Sequence, residues 1–378
     1  MPRRNRYKPR PDGRYEAKVW DGTYKPDGQR NRIAIYGHTS KEVEDKVDEL
    51  RAAIKSRTYI RPSKDTVADY AAKWLTTYKA ARELNTRAMY KNIIDKHIVP
   101  EIGNMELKDL THGDVQGMIN DRSDKPRTCQ QILITMRQII KRAEQDRLLP
   151  HGSGICDDIE MPSTGPRKKK RPLTDLEKEA IPKAALSNSD RAYVYILFGC
   201  GLRREEAIAL HTSDIDLTKR KVIVRHKIVF DGNTPLLMHN TKTDNGLREV
   251  PIPKSVYGHI QFYTKMITGK DKKVDKPLFT MRDGGYISKS SYDKMWARIL
   301  RQLNAAVATD DDPEPIQGLT GHIFRHNYAT MLYYSGISEI KAVELMGHAD
   351  GKMIREIYAH LQEERENTVD RLDAEIVL

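Results

Sequence analysis

The stretch GHIFRHNYATMLYYSGISEIKAVELMGHADGKMIREIYAH, residues 321–360, decides how the rest of the chain is read. His322 and Arg325 stand one helical turn apart, so they share a face. His348 follows in a Gly-His turn, and Tyr358 comes ten positions later. A guanidinium, two imidazoles and a phenol on short helices can grip a phosphodiester and attack it without a metal ion. None of these residues carries that reading alone. An H-x-x-R pair often arises by chance, and Tyr358 is one of 18 tyrosines, a residue type that mostly packs.

The 378 residues suffice for two or three domains. A formal charge of +12 and a pI near 9.3 point to a polyanionic partner, nucleic acid first and an anionic membrane surface second. Cys129, Cys156 and Cys200 are odd in number and widely spaced, which argues against a disulfide framework or a zinc finger and fits a reducing cytosol. The most apolar run, Ala192 to Leu202, is too short to span a bilayer. The basic start, MPRRNRYKPRPDGR, has no apolar segment behind it and is not a secretory signal. The expectation is a soluble cytoplasmic protein with no membrane partner.

The first ten residues read either as a solvated tail or as a basic arm that orders on DNA. Alternation then predicts strands over 14–20 and 30–36, with Tyr15, Ala17 and Val19 on one face of the first. In the second, Ile33 and Ile35 oppose Arg30 and Arg32. A helix over 40–56, capped by Thr39 or Ser40, completes a small module expected to hold a three-stranded sheet plus a helix. Its open strand face carries Arg14, Lys18, Trp20, Arg30 and Arg32. Such a face can lie in a DNA major groove, and an ordinary solvated sheet looks the same.

From Thr66 the periodicity turns helical. Helices are predicted near 66–75, over 85–98 with a stop before Pro100, after the cap Thr111, and over 127–147. This predicts a compact helical domain over 61–155, with basic positions such as Lys91 able to meet phosphate or simply to face solvent. A linker over 156–172 contains Arg167, Lys168, Lys169 and Lys170, placed to run as a strap of positive charge along a DNA backbone.

The capping box Thr174-Asp175-Leu176-Glu177 opens the last domain, 173–378. Its expected strands are 221–230 and 248–252, with a turn at Asp231-Gly232-Asn233 and a loop at 240–246 between them. The rest is helical, so the fold class is multidomain and mainly α, with a small sheet in the last domain. Asp310, Asp311 and Asp312 are consecutive in a loop, where their side chains diverge, and they make no metal site. Guanidinium groups are then the natural means of holding phosphate. Arg203 follows a Gly-Leu break at a helix start, with Glu206 three residues on to fix it.

The C-terminal half resembles the tyrosine recombinases, the phage-type integrases. The resemblance rests on Gly201-Leu202-Arg203-Arg204-Glu205-Glu206-Ala207 with Asp214-Ile215-Asp216, then His322-Ile323-Phe324-Arg325-His326, Leu345-Met346-Gly347-His348 and Ile357-Tyr358-Ala359-His360. It implies that Tyr358 attacks the scissile phosphate to give a 3′-phosphotyrosyl bond, while Arg203 and Arg325 hold that phosphate. His322 and His348 would hydrogen-bond it, Lys242 would be the acid for the leaving 5′-oxygen, and Glu206 would stand behind Arg203. Glu205 departs from the pattern, standing where a small residue is usual.

The implied layout is an arm-binding module over 1–60, a core-binding helical domain and a catalytic domain, as in integrases of temperate phages and conjugative transposons. The implied partners are double-stranded DNA at core and arm sites, a homotetramer on that DNA, an excisionase and a host DNA-bending protein. No cofactor is implied. A type IB topoisomerase and a non-catalytic DNA-binding regulator are the competing readings.

Overall fold

Alternation decides the first element. β1 (Tyr15–Tyr24) pairs antiparallel with β2 (Arg30–Gly37), Ala17 opposite Ile35 and Val19 opposite Ile33. Ala17 and Val19 face inward onto Val43 and Val47 of α1 (Ser40–Lys55), forming a small core. The Thr39 side chain accepts from the Glu42 N–H and caps that helix. Among the described residues the expected third strand is a single antiparallel bridge from Pro9 to Tyr15. Proline has no N–H with which to extend a ladder.

The computed structural model describes residues 7–24, 28–56, 59–60, 63–165, 171–239, 247–269, 275–347 and 351–365. The chain divides into two compact units, Met1–Arg167 and Lys168–Leu378.

After α1 the first unit continues with α2 (Val67–Tyr78), α3 (Leu84–Ile93), α4 (Val99–Ile102), α5 (His112–Asn120) and α6 (Pro126–Gln145). Capping boxes at Thr66/Asp69 and Thr111/Asp114 start α2 and α5, as short polar residues before apolar periodicity predict. The predicted stop before Pro100 is instead a π turn, Ile94–Ile98, that runs directly into α4. Widening the turn absorbs the carbonyl that Pro100, lacking an N–H, cannot serve. The helices close on Tyr70, Trp74, Ile98, Ile132 and Met136, and Ile155, Cys156 and Ile159 pack onto the same core. Arg147, beyond α6, is left-handed at φ 61°, and its guanidinium donates to the Asp21 carbonyl of β1.

The second unit opens with α7 (Asp175–Lys183), α8 (Asn188–Cys200) and α9 (Arg204–Ala207). The strands are β3 (Ile215–Asp216), β4 (Lys221–Val224), β5 (His226–Asp231), β6 (Thr234–His239) and β7 (Arg248–Pro251). They form an antiparallel sheet in the order β3-β4-β7 and a separate hairpin β5-β6. The single strand expected over 221–230 therefore breaks at Arg225, which turns aside to meet Asp214 at 3.3 Å. Five helices follow: α10 (Lys254–Thr268), α11 (Lys289–Ala305), α12 (Gly321–Tyr334), α13 (Glu339–Met346) and α14 (Lys352–Arg365). α8 is buried on almost every side and packs against α10 and α12, which makes it the axis of this unit. No described helix is long and apolar enough to cross a membrane.

Candidate functional site

The site is built where α8 ends. Gly201 caps that helix at φ +60°, and a Cβ there would lie 2.2 Å from the Tyr328 ring of α12. Only glycine meets both conditions. The tight turn brings Leu202 into the core and leaves Arg203 as the residue before α9. Glu206, on the first turn of α9, reaches back to the Arg203 backbone N–H at 2.9 Å and accepts from Arg203 Nη1 at 2.8 Å.

Arg325 comes to the same place from α12. It is 1% exposed; Nη1 donates to the Gly201 carbonyl at 2.8 Å and Nη2 to the Met346 carbonyl. Its Nε is buried without a hydrogen-bond partner. Burial, and then the charge of Arg203, pull this guanidinium down to about 9. It remains a cation at neutral pH, but one held in an unfavourable place, and an anion in the site would relieve that cost.

A third guanidinium, one that strand assignment alone does not single out, completes the cluster. Arg248 of β7 donates from Nη1 and Nη2 to the two oxygens of Glu206, at 3.1 and 2.7 Å, and from Nε to the Leu345 carbonyl at 2.8 Å. Arg203 Nη2 reaches the Gly347 carbonyl at 3.2 Å. The consecutive carbonyls of Leu345, Met346 and Gly347 thus take one arginine each. These are the orphan acceptors at the negative end of α13, where cations are favoured.

Burial alone would push the Glu206 carboxyl up. The Arg248 hydrogen bonds and charge, with Arg325 and Arg203, outweigh it and hold Glu206 well below the usual carboxylate range. The group is therefore ionised above that range, and its contribution is lost only as pH falls through the depressed value.

His322 stands on the first turn of α12, exposed to solvent, one turn before Arg325. Tyr358 is elsewhere. Its hydroxyl donates to the Ile337 carbonyl at 3.0 Å and its ring meets Tyr333 edge-on. Ile337 lies past the end of α12, whereas Arg325 is on its second turn, a separation of roughly 14 Å along the helix. Burial and the nearby Glu339 carboxylate raise the Tyr358 phenol. The structure thus joins Arg203, Arg325 and Glu206, sets His322 one turn from Arg325, and leaves Tyr358 turned to another partner. Lys242, His348, Arg167, Lys168, Lys169 and Lys170 lie outside the described residues.

Residues 173–365 match the phage integrase family, and residues 66–122 match the phage integrase N-terminal SAM-like domain. The chain belongs to the phage integrase family. Among tyrosine recombinases of this family it is 22% identical to an integrase of Streptomyces ambofaciens, over 89% of this chain and 86% of that one. It is 23% identical to the ICEBs1 integrase of Bacillus subtilis, over 96% and 97% of the two chains. In fold it is similar to the Tn1549 transposon integrase, solved in complex with a circular intermediate DNA, at a TM-score of 0.65 and 20% identity, covering 79% of this chain and 99% of that one. It is also similar to a lambda integrase dimer bound to a core site, at a TM-score of 0.55 and 16% identity, over 93% and 94% of the chains.

The remaining candidate residues of this integrase-family chain lie in its first unit. On the open face of the β1–β2 sheet Lys18 and Trp20 sit across from Ala34 and Arg32. The Arg30 guanidinium lies over the Trp20 ring at 4.9 Å, and Arg14 lies over Tyr36 at 5.4 Å while also holding Asp12. Lys91 is exposed and pairs with Asp95 one turn on. The three cysteines are buried, and burial pushes the Cys156 and Cys200 thiols up to about 12, so neither is a nucleophile at neutral pH. Among the described residues no group of His, Cys, Asp and Glu is placed to hold a metal ion.

Proposed function

We propose that this chain is a site-specific DNA recombinase that cuts and rejoins double-stranded DNA to integrate and excise a mobile element. Within that reading the Tyr358 oxygen bonds to the scissile phosphorus as the bond to the 5′-oxygen breaks. The result is a 3′-phosphotyrosyl link and a free 5′-hydroxyl. Arg203 and Arg325 seat the phosphate and offset charge as the pentavalent transition state develops. His322 and His348 hydrogen-bond it and handle the tyrosine proton, and Lys242 supplies the proton that the leaving oxygen takes. Attack by a 5′-hydroxyl from another duplex reverses the step, so strand exchange needs no cofactor.

The observation that carries this reading is the convergence of Arg203 and the desolvated Arg325 on one helix end, with the buried Arg325 Nε still unsatisfied. Residues 1–60 are assigned to arm sites and 61–155 to core sites. Residues 156–172 are assigned to the strap between them and the catalytic domain, 173–378. The working assembly is a tetramer on DNA in the cytoplasm, at the nucleoid, with an excisionase and a host DNA-bending protein as accessory partners. Because Tyr358 rests on the Ile337 carbonyl, cleavage begins with the loss of that bond.

The test is a nicked duplex that traps the covalent intermediate. Tyr358→Phe is expected to abolish the protein–DNA adduct while leaving DNA binding within a few-fold of wild type. An adduct that persists in this variant ends the assignment.

A further inference from the structure

Arg248 is out of place for a strand residue. Along β7 the side chains alternate, and Arg248 shares the inward face with the fully buried Val250. A guanidinium in that position is costly unless paired. Its carboxylate partner, Glu206, is already engaged by the Arg203 backbone and side chain. Charge balance does not explain the residue either, because among the described residues three guanidinium groups face one carboxylate, an excess of two positive charges. Stability alone would favour an apolar side chain here, since buried ion pairs can often be replaced by well-packed hydrophobic groups at no loss.

We propose that Arg248 is a positioning residue of the phosphate grip. It saturates Glu206, pins that carboxylate to the end of α13, and so fixes the aim of Arg203 while keeping Arg325 without a carboxylate partner. The proposal rests on the strand-transfer reading above. The fork from Arg248 engages both Glu206 oxygens, which leaves the carboxylate one orientation and Arg203 one way to meet it. Arg325 lies within electrostatic reach of Glu206, yet its Nη donors go to the Gly201 and Met346 carbonyls. Were Glu206 free to turn, Arg325 is, among the described residues, a cation within its reach that has no carboxylate partner. Pairing with it would cancel the positive charge that a phosphate needs. Arg248 has no donor left for DNA, unlike Arg325 with its unsatisfied Nε: Nε, Nη1 and Nη2 of Arg248 all donate to protein acceptors.

Among the described residues the charged groups that face Glu206 are Arg203 from the α9 cap, Arg248 from β7 and Arg325 from α12, with the Tyr328 hydroxyl of α12 in reach of the last two. Removing Arg248 therefore lets Glu206 take up a proton nearer neutrality, and the grip should fail earlier as pH falls.

The experiment measures single-turnover adduct formation by the full chain from acid to alkaline pH. The substrate is a nicked duplex carrying the core site defined by sequencing the element's junctions. Arg248→Met should slow the step roughly 10- to 100-fold at neutral pH, the range found when groups supporting a binding residue from behind are removed. Its acid limb should lie at higher pH than that of the wild type, since loss of the Arg248 charge and hydrogen bonds raises Glu206, with DNA binding nearly unchanged. The double variant Arg248→Met with Glu206→Gln should be no slower than Glu206→Gln alone and should lose the shifted limb. Arg248→Lys, which keeps the charge and guards against a variant that fails to fold, should be slowed about tenfold with the acid limb unmoved, since an ammonium cannot fork.

A wild-type rate in Arg248→Lys, an unmoved acid limb in a folded Arg248→Met, or losses that multiply in the double variant would each overturn the proposal. Tyr358→Phe in the same assay separates the two ideas. An adduct that survives there sinks the strand-transfer reading, whereas failure of the Arg248 pattern alone leaves that reading standing.

Discussion

Arg325 and Tyr358 come from the same forty-residue stretch and are in opposite condition. Arg325 is fully buried, tied to two carbonyls and flanked by Arg203 and Arg248. Tyr358 is half-buried on α14, with its hydroxyl on a backbone carbonyl beyond the far end of α12. The part that would hold a phosphate is built before any DNA arrives, and the part that would attack it is not. A preorganised grip costs nothing to assemble at the moment of reaction. Under the proposed function, a tyrosine kept on another carbonyl would not cut DNA that merely passes.

The comparison breaks first at the grip. Arg325→Lys should cost on the order of 10²-fold or more in adduct formation, the size of effect seen when a preorganised donor to the transition state is lost. A lysine has neither the planar fork nor the reach to serve both the Gly201 and Met346 carbonyls. Single-turnover rates decide it, and a wild-type rate would show that the grip is not a shared one.

Gly201→Ala tests whether the grip depends on its turn. The left-handed backbone and the overlap with Tyr328 should together lower stability by on the order of 3 kcal/mol. Denaturant unfolding reads this directly, and an unchanged midpoint would mean the turn is not a fixed point.

The smallest effect is expected at Tyr358, the proposed nucleophile. Glu339 raises the Tyr358 phenol after burial does, so Glu339→Gln should bring the phenol back toward its ordinary value. Below that value more phenolate is present at any given pH, so cleavage should speed up, but only a few-fold. Charges this exposed are typically worth under ~1 kcal/mol. The pH–rate profile checks the sign: a slower variant would place Glu339 in another role.

Much of this was legible in the residues. Short polar caps before apolar periodicity located α1, α2, α5 and α7, and the residues that carry the resemblance, around Arg203, Arg325 and Tyr358, all lie in the second unit. β5 and the turn after it lie where the residues predict strand and turn, but β6 is not predicted, because Pro235 speaks against a strand, although an edge strand tolerates it opposite Phe230. Arg248 did leave a signal, an arginine in register with the core-facing Val250. Its partner is 42 residues away in the chain, so periodicity could raise the question but not answer it. The position of Tyr358 had no local signal, since a bond to a backbone carbonyl leaves no mark on residue type.

α13 has a consequence beyond its three carbonyls. That helix, eight residues long, lies against α12, α14 and β7 together, so the arginine cluster and the helix bearing Tyr358 rest on one support. Two ligand-dependent events sharing a support are thermodynamically reciprocal. If drawing α14 inward steadies α13, phosphate affinity rises by some factor. A seated phosphate must then favour the inward tyrosine by that same factor. Under the proposed function, substrate recognition and commitment to cutting would then be two readings of a single coupling energy.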